Sequence, residues 1–202
     1  MFKISFLYLS IVLFTTLSCS DDEETDGNHP PDTGNEIGSY SGSVTASFGL
    51  LQYRFYFLND FYDSTYVIHV SRGGNGLGDD RGELYSYVEA YVKAGYVVLQ
   101  VDHRFAGSNI EKIAQYRGEE ISFIAAEVKN GNLNYGNFNG WIDGSKQGYA
   151  GHSGGCVEGL MAAGTKMTHG NYHVPQIKAV YGMSPAGYNP DQFGITQNPI
   201  GY

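Results

Sequence analysis

Three short apolar runs, separated by stretches of helical periodicity, limit what this chain can fold into. Thr65-Tyr66-Val67-Ile68-His69-Val70 and Tyr96-Val97-Val98-Leu99-Gln100-Val101 are nearly continuous in apolar side chains, as strands covered on both faces must be. Ile177 to Met183 reads as a third strand, and the shorter Gln147 to Gly151 as a fourth. Between them, Leu84, Val88, Tyr91 and Val92 recur at helical spacing within Glu83 to Ala94, and Gly95 follows as a stop. Ile121, Ile124, Ala125 and Val128 mark a second helix ended near Gly131, and Gly155 to Gly164 a third that is apolar nearly all round. Ahead of these, Ser39 to Phe48 and Leu51 to Leu58 flank Gly49 as a hairpin at the sheet edge. A hairpin followed by strands alternating with helices predicts an α/β class, with a mostly parallel sheet, right-handed crossovers and helices on both faces. In such a sheet the functional residues gather at the carboxyl ends of the strands.

The N-terminal segment follows a different logic. Met1-Phe2-Lys3 precedes an uncharged, apolar run from Ile4 to Leu17, one basic residue before a stretch too short to span a bilayer, which is the layout of a secretory signal. Leu17-Ser18-Cys19 resembles a bacterial lipobox, and Ser20-Asp21-Asp22-Glu23-Glu24 resembles the acidic tag of some surface-exposed outer-membrane lipoproteins. An ordinary signal peptide with a chance cysteine is the alternative. The resemblance implies lipidation of Cys19, export and a membrane partner reached through that lipid, since buried acyl chains contribute about 0.8 kcal/mol per methylene. The expected organisation is residues 1–18 as signal peptide, 19–37 as an acidic flexible tether and 38–202 as the α/β domain.

Charge supports that division. Residues 20 to 36 hold seven of the 21 acidic residues and no Lys or Arg, which leaves the domain 11 basic against 14 acidic. Nothing here resembles the basic face that a phosphate backbone requires, so no nucleic-acid partner is expected. With Cys19 lipidated, Cys156 has no cysteine to pair with and reads as a small buried hydrophobe.

The chemistry concentrates at Gly151-His152-Ser153-Gly154-Gly155. A Gly-x-Ser-x-Gly pentapeptide gains meaning from its setting: a strand, an abrupt turn and a helix leave the serine Oγ exposed at the sheet edge, and small neighbours permit the strained turn. Gln147 to Gly151 supplies the strand and Cys156-Val157-Glu158-Gly159-Leu160-Met161 the helix. From about Tyr66 to Gly187 the chain resembles the α/β-hydrolase superfamily, within it the dienelactone hydrolase, cutinase-like and platelet-activating-factor acetylhydrolase-like serine esterases. Arg72-Gly73-Gly74-Asn75-Gly76 after a strand, and Gly95 through Arg104 with its acidic-basic ending, carry the likeness upstream of the pentapeptide. The resemblance implies an α/β-hydrolase fold, Ser153 as nucleophile, and the amides of Gly154 and Gly74 as an oxyanion hole. It implies no cofactor and no metal, and an ester as substrate.

Two departures accompany the likeness. The family often has His-Gly where this chain has Arg72-Gly73, and Arg72 either brings positive charge to the substrate or pairs with Asp79 or Asp80. The family's order is Ser, then an acid, then His after the last strand, whereas no histidine lies near the end of these 202 residues. The C-terminal part of the fold is expected to be missing. Asp191 is the candidate acid, or a turn residue after Asn189-Pro190. His169 and His173 fall on the side away from the elbow, His152 alternates away from Ser153, and His69 reads as a core residue. His103, at the carboxyl end of a strand, is a weak candidate base. Trp141 with Asn137 to Gly140 either lines a substrate cleft or packs beside Asp143. The resulting function is carboxylic ester hydrolysis through an acyl-enzyme on Ser153, and the alternative is an inactive hydrolase scaffold acting as a surface binding lipoprotein. Metal-dependent hydrolysis lacks ligands at suitable spacing, and Gly73 to Gly82 lacks the Gly-Lys-Ser/Thr ending of a nucleotide loop.

Overall fold

Aromatic and β-branched alternation builds the first two strands, β1 (Ile37–Ala46) and β2 (Gly49–Leu58), into a hairpin paired without interruption from Ile37 with Leu58 to Ala46 with Gly49. The loop is Ser47-Phe48, so Gly49 is not between the strands as expected but opens β2, at a φ of +120° that side chains rarely adopt. A computed structural model describes residues 36–74, 84–104, 107–185 and 195–197, all within the compact unit Thr33–Tyr202. The apolar runs form β3 (Ser64–Ser71), β4 (Val97–Val101) and β8 (Ile177–Pro185), and the helical segments form α1 (Tyr85–Lys93), α2 (Ile110–Asn130) and α3 (Gly154–Ala162). The strand at Gln147 to Gly151 is part of a longer one, β5 (Trp141–Ser153).

These strands make a six-stranded sheet in the order β1-β2-β4-β3-β5-β8. The antiparallel hairpin joins antiparallel through β2 and β4, and the remaining neighbours, β4 with β3, β3 with β5 and β5 with β8, pair parallel. A small second sheet, unforeseen in the sequence, orders β7 (Gly170–Asn171), β6 (Lys166–Met167) and β9 (Ile195–Gln197). Strands of two or three residues carry no readable period.

The apolar stripe of each helix decides which face it covers. Val88 and Val92 of α1 are buried with Tyr56, Val70, Val98 and Ala150 on one side of the sheet. Ile121, Ile124 and Val128 of α2 are buried with Phe55, Phe57, Val67, Leu99 and Tyr149 on the other, where Ala162 of α3 joins them. α1, the helix after β3, therefore covers one face, and α3, the helix after its parallel neighbour β5, covers the opposite face. Such a switch opens a crevice at the carboxyl ends of the two strands, where Ser71 pairs with Gly151.

Candidate active site

β5 ends at Ser153 and α3 begins at Gly154, so the chain reverses at one residue. Ser153 has φ +52° and ψ −116°, and among the described residues it alone is a non-glycine with positive φ. Such a conformation costs on the order of 1–3 kcal/mol and persists only when its surroundings over-determine it. The surroundings are glycines in backbone contact. A Cβ on Gly151 would collide with the carbonyl of Gly155, and one on Gly155 with the carbonyl of Ser71. A Cβ on Gly73 would lie 2.6 Å from Ser153 Cβ and 2.9 Å from its Oγ, so the loop after β3 is pressed against the serine. Gly74, at φ +86°, brings its backbone nitrogen to 3.8 Å from where a Gly154 Cβ would stand. The backbones of Gly74 and Gly154 thus approach each other beside Ser153, at the positive end of the α3 dipole.

Beneath this surface lies a buried ionic cluster that sequence reasoning missed. The Arg117 guanidinium, 2% exposed, donates from Nη1 to Ser71 Oγ at 3.0 Å, to the Arg72 carbonyl at 2.9 Å and to Glu158 Oε2 at 3.2 Å. Its Nη2 donates to the Gly74 carbonyl at 3.1 Å. The Ser71 hydroxyl donates to Glu158 Oε2 at 2.7 Å. His103 Nδ1 lies 2.7 Å from Glu120 Oε2, and Arg104 reaches Glu120 Oε1 through its backbone N–H at 3.0 Å and Nε at 2.7 Å. Rings of Phe48 and Tyr116, each 4.0 Å away, sandwich the Arg104 guanidinium. Burial alone would raise the Glu120 pKa, but the His103 and Arg104 contacts outweigh it and hold the carboxyl below its usual range. Burial likewise pushes the Tyr149 phenol well above its ordinary value, with the Glu158 charge adding to the shift; the hydroxyl lies beside Ser71 and Glu158 without ideal hydrogen-bond geometry. The signal was in the helical arithmetic. Arg117 and Glu120 sit four residues before Ile121 and Ile124, on the buried stripe of α2, and Glu158 is a lone charge in the apolar α3.

Ser71, His103 and Glu120 stand in the spatial order of a nucleophile, base and acid, with His103 Nε2 3.1 Å from Ser71 Oγ. Ser71 is buried and its hydroxyl is committed to Glu158, so no ester reaches it. The same contacts remove His103 as the base for Ser153, because both its ring nitrogens are engaged in the cluster. His69 is bonded to Gln147 at 2.6 Å in the core, and His169 packs on Tyr172. Among the described residues no histidine is hydrogen-bonded to Ser153. Asp191, Cys19, Asp79 and Asp80 lie outside the described residues. Trp141 is 62% exposed at the start of β5, the opposite end of the strand from Ser153, so it does not line the crevice there. Cys156 is buried, its Sγ directed at the Gly151 carbonyl at 3.0 Å, and burial raises its thiol pKa away from the reactive thiolate. No group of three or more His, Cys, Asp or Glu among the described residues is arranged to hold a metal ion.

No family model matches the chain, and no curated protein matches it by sequence. Among solved structures, Thermogutta terrifontis esterase 2, phosphorylated by paraoxon, is similar with a TM-score of 0.52 at 13% identity, over 78% of this chain and 64% of that one. A thermostable esterase from Pseudomonas putida ECU1011 gives 0.48 at 18% identity, over 66% and 40%. Brefeldin A esterase, a bacterial homologue of human hormone-sensitive lipase, gives 0.47 at 11% identity, over 69% and 38%. The chain spans less than two thirds of the length of each. The sheet order, the helices on both faces and the likeness to esterase 2 define the fold as that of the α/β-hydrolases.

Proposed function

We propose that this chain carries the nucleophile of a serine hydrolase that cleaves carboxylic esters. The observation behind this is Ser153 itself, a strained serine between a strand and a helix with the backbones of Gly74 and Gly154 beside it. In the reaction, Ser153 Oγ attacks the ester carbonyl carbon and gives its proton to a base. The Gly154 and Gly74 amides stabilise the resulting oxyanion, and its collapse expels the alcohol and leaves an acyl-enzyme that water hydrolyses. Asp191 is the proposed acid; the base is not assigned. The likeness in fold to Thermogutta terrifontis esterase 2 favours an ester over an amide. A lipid on Cys19 would tether the domain to the outer membrane, facing outward.

One observation favours a second possibility, an inactive scaffold that binds a ligand: among the described residues no histidine is hydrogen-bonded to Ser153. Paraoxon separates the two. Attack by Ser153 Oγ on its phosphorus releases 4-nitrophenolate and leaves a diethylphosphoryl group on the serine. Stoichiometric nitrophenolate release, a modified Ser153 in the mass spectrum and neither in Ser153→Ala are expected of the hydrolase. A chain that stays unmodified, and turns over short-chain nitrophenyl esters no faster than Ser153→Ala, is the scaffold.

A further inference from the structure

We infer that Arg117 is a positioning residue whose guanidinium holds the loop after β3 from beneath and fixes it against Ser153. This rests on the serine-hydrolase assignment and extends it to a residue with no place in the reaction itself. The two carbonyls that Arg117 takes, those of Arg72 and Gly74, bracket Gly73, the residue whose α-carbon abuts the serine. Loop carbonyls ordinarily find water or backbone donors. Here a planar fork takes both, one from each terminal nitrogen in a fixed direction, whereas an ammonium is a point charge with rotatable donors that does not pre-set the two directions. Because a trans peptide points its C=O and N–H opposite ways, drawing the Arg72 carbonyl toward Arg117 turns the Gly73 N–H away from it. The Gly74 carbonyl belongs to the next peptide but one, so holding both carbonyls fixes the peptides on either side of the one that carries the Gly74 N–H, the proposed oxyanion donor.

The same group reaches the nucleophile's own helix through Glu158, five residues beyond Ser153, and the end of β3 through Ser71. One buried cation therefore joins the three segments that meet at the elbow: β3, its loop and α3. Fold stability alone gives no reason for this choice, since well-packed apolar residues often replace a buried ion pair without loss. Orientation of the loop does give one.

The test uses the full chain with Arg117→Lys, which keeps the charge and loses the fork, and with Arg117→Met/Glu158→Met, which leaves no lone member of the pair. Amide hydrogen exchange is measured over residues 71–74 and over β3 and β5, together with the rate of Ser153 phosphorylation by paraoxon and the kcat and KM for a nitrophenyl ester. With core protection unchanged, we expect exchange in the loop to rise and phosphorylation and kcat to fall on the order of 10- to 100-fold, with KM within about twofold of wild type. Wild-type loop exchange in a folded variant overturns the inference, and so does faster loop exchange with an unchanged phosphorylation rate. If Arg117→Lys does not fold, the double variant decides. If the wild-type chain is not phosphorylated at all, the hydrolase assignment fails separately, and the exchange comparison alone accepts or rejects Arg117 as the support of the loop.

Discussion

Ser153 adopts a backbone conformation that glycine reaches without strain and serine does not. Ser153→Gly should therefore release about 1–3 kcal/mol of strain, offset by about 0.5–1 kcal/mol for the greater freedom of glycine in the unfolded chain. We expect a net gain of about 1 kcal/mol in urea unfolding, whereas Ser153→Ala, which keeps a Cβ, stays within about 0.5 kcal/mol of wild type. Equal stability of the two variants would show that the turn stores no strain. At Gly73 the expectation is reversed. Its Cβ would fall 2.6 Å from Ser153 Cβ, so Gly73→Ala must push the loop off the serine, and paraoxon phosphorylation should slow on the order of 100-fold. A rate within twofold of wild type would mean that the loop gives way without consequence.

α2 places both the core stripe and the ionic cluster, so its ends matter to the site. Asn109 caps it, accepting the Lys112 N–H at 2.9 Å, and Gly131 closes it at φ +67°. Asn109→Ala should cost about 1 kcal/mol in thermal or urea unfolding; no change would mean that solvent serves the helix end equally well. The periodicity of Val88 with Val92, and of Ile121 with Ile124 and Val128, made α1 and α2 legible in the sequence, as continuous apolar runs did for β3 and β4. The first half of β5, Trp141 to Lys146, was illegible because only Gly144 of it is buried and it carries no apolar alternation. The tight turn at Ser153 was legible because its backbone, at positive φ and in close contact with its neighbours, demands small residues at fixed offsets. Arg117, Glu120 and Glu158 were not, because charged residues in helices are ordinarily solvated, and only their position on the buried stripes marks them as otherwise.

The interior of the whole molecule carries ionisable groups whose titration sets its acid stability. Burial keeps the His69 pKa below its ordinary 6.5, against the opposing effects of Gln147 and Glu158. As pH falls through 6.5 the unfolded chain gains a proton at this position that the folded one refuses, and stability declines. Glu120 is held below its ordinary 4.5, so its contribution is complete above that pH and is lost as pH falls below it. The urea midpoint should accordingly decline in two stages on acidification, and His69→Gln should flatten the upper one. An unchanged upper stage in that variant would assign it to another histidine.

Assembly of the elbow also has a timing. Ser71 pairs with Gly151 across 80 residues of chain, and β5 can enter beside β3 only once that length has been drawn together. Loop closure becomes costlier with length, by about 0.6 kcal/mol per doubling, and parallel pairing over such distances is slow. Until it happens, Gly73 and Ser153 are strangers and Ser153 has the reactivity of any alcohol. If Ser153 is the nucleophile proposed above, its setting forms only with this long-range pairing, so in a refolding experiment phosphorylation by paraoxon should return with the last kinetic phase rather than with the first helices.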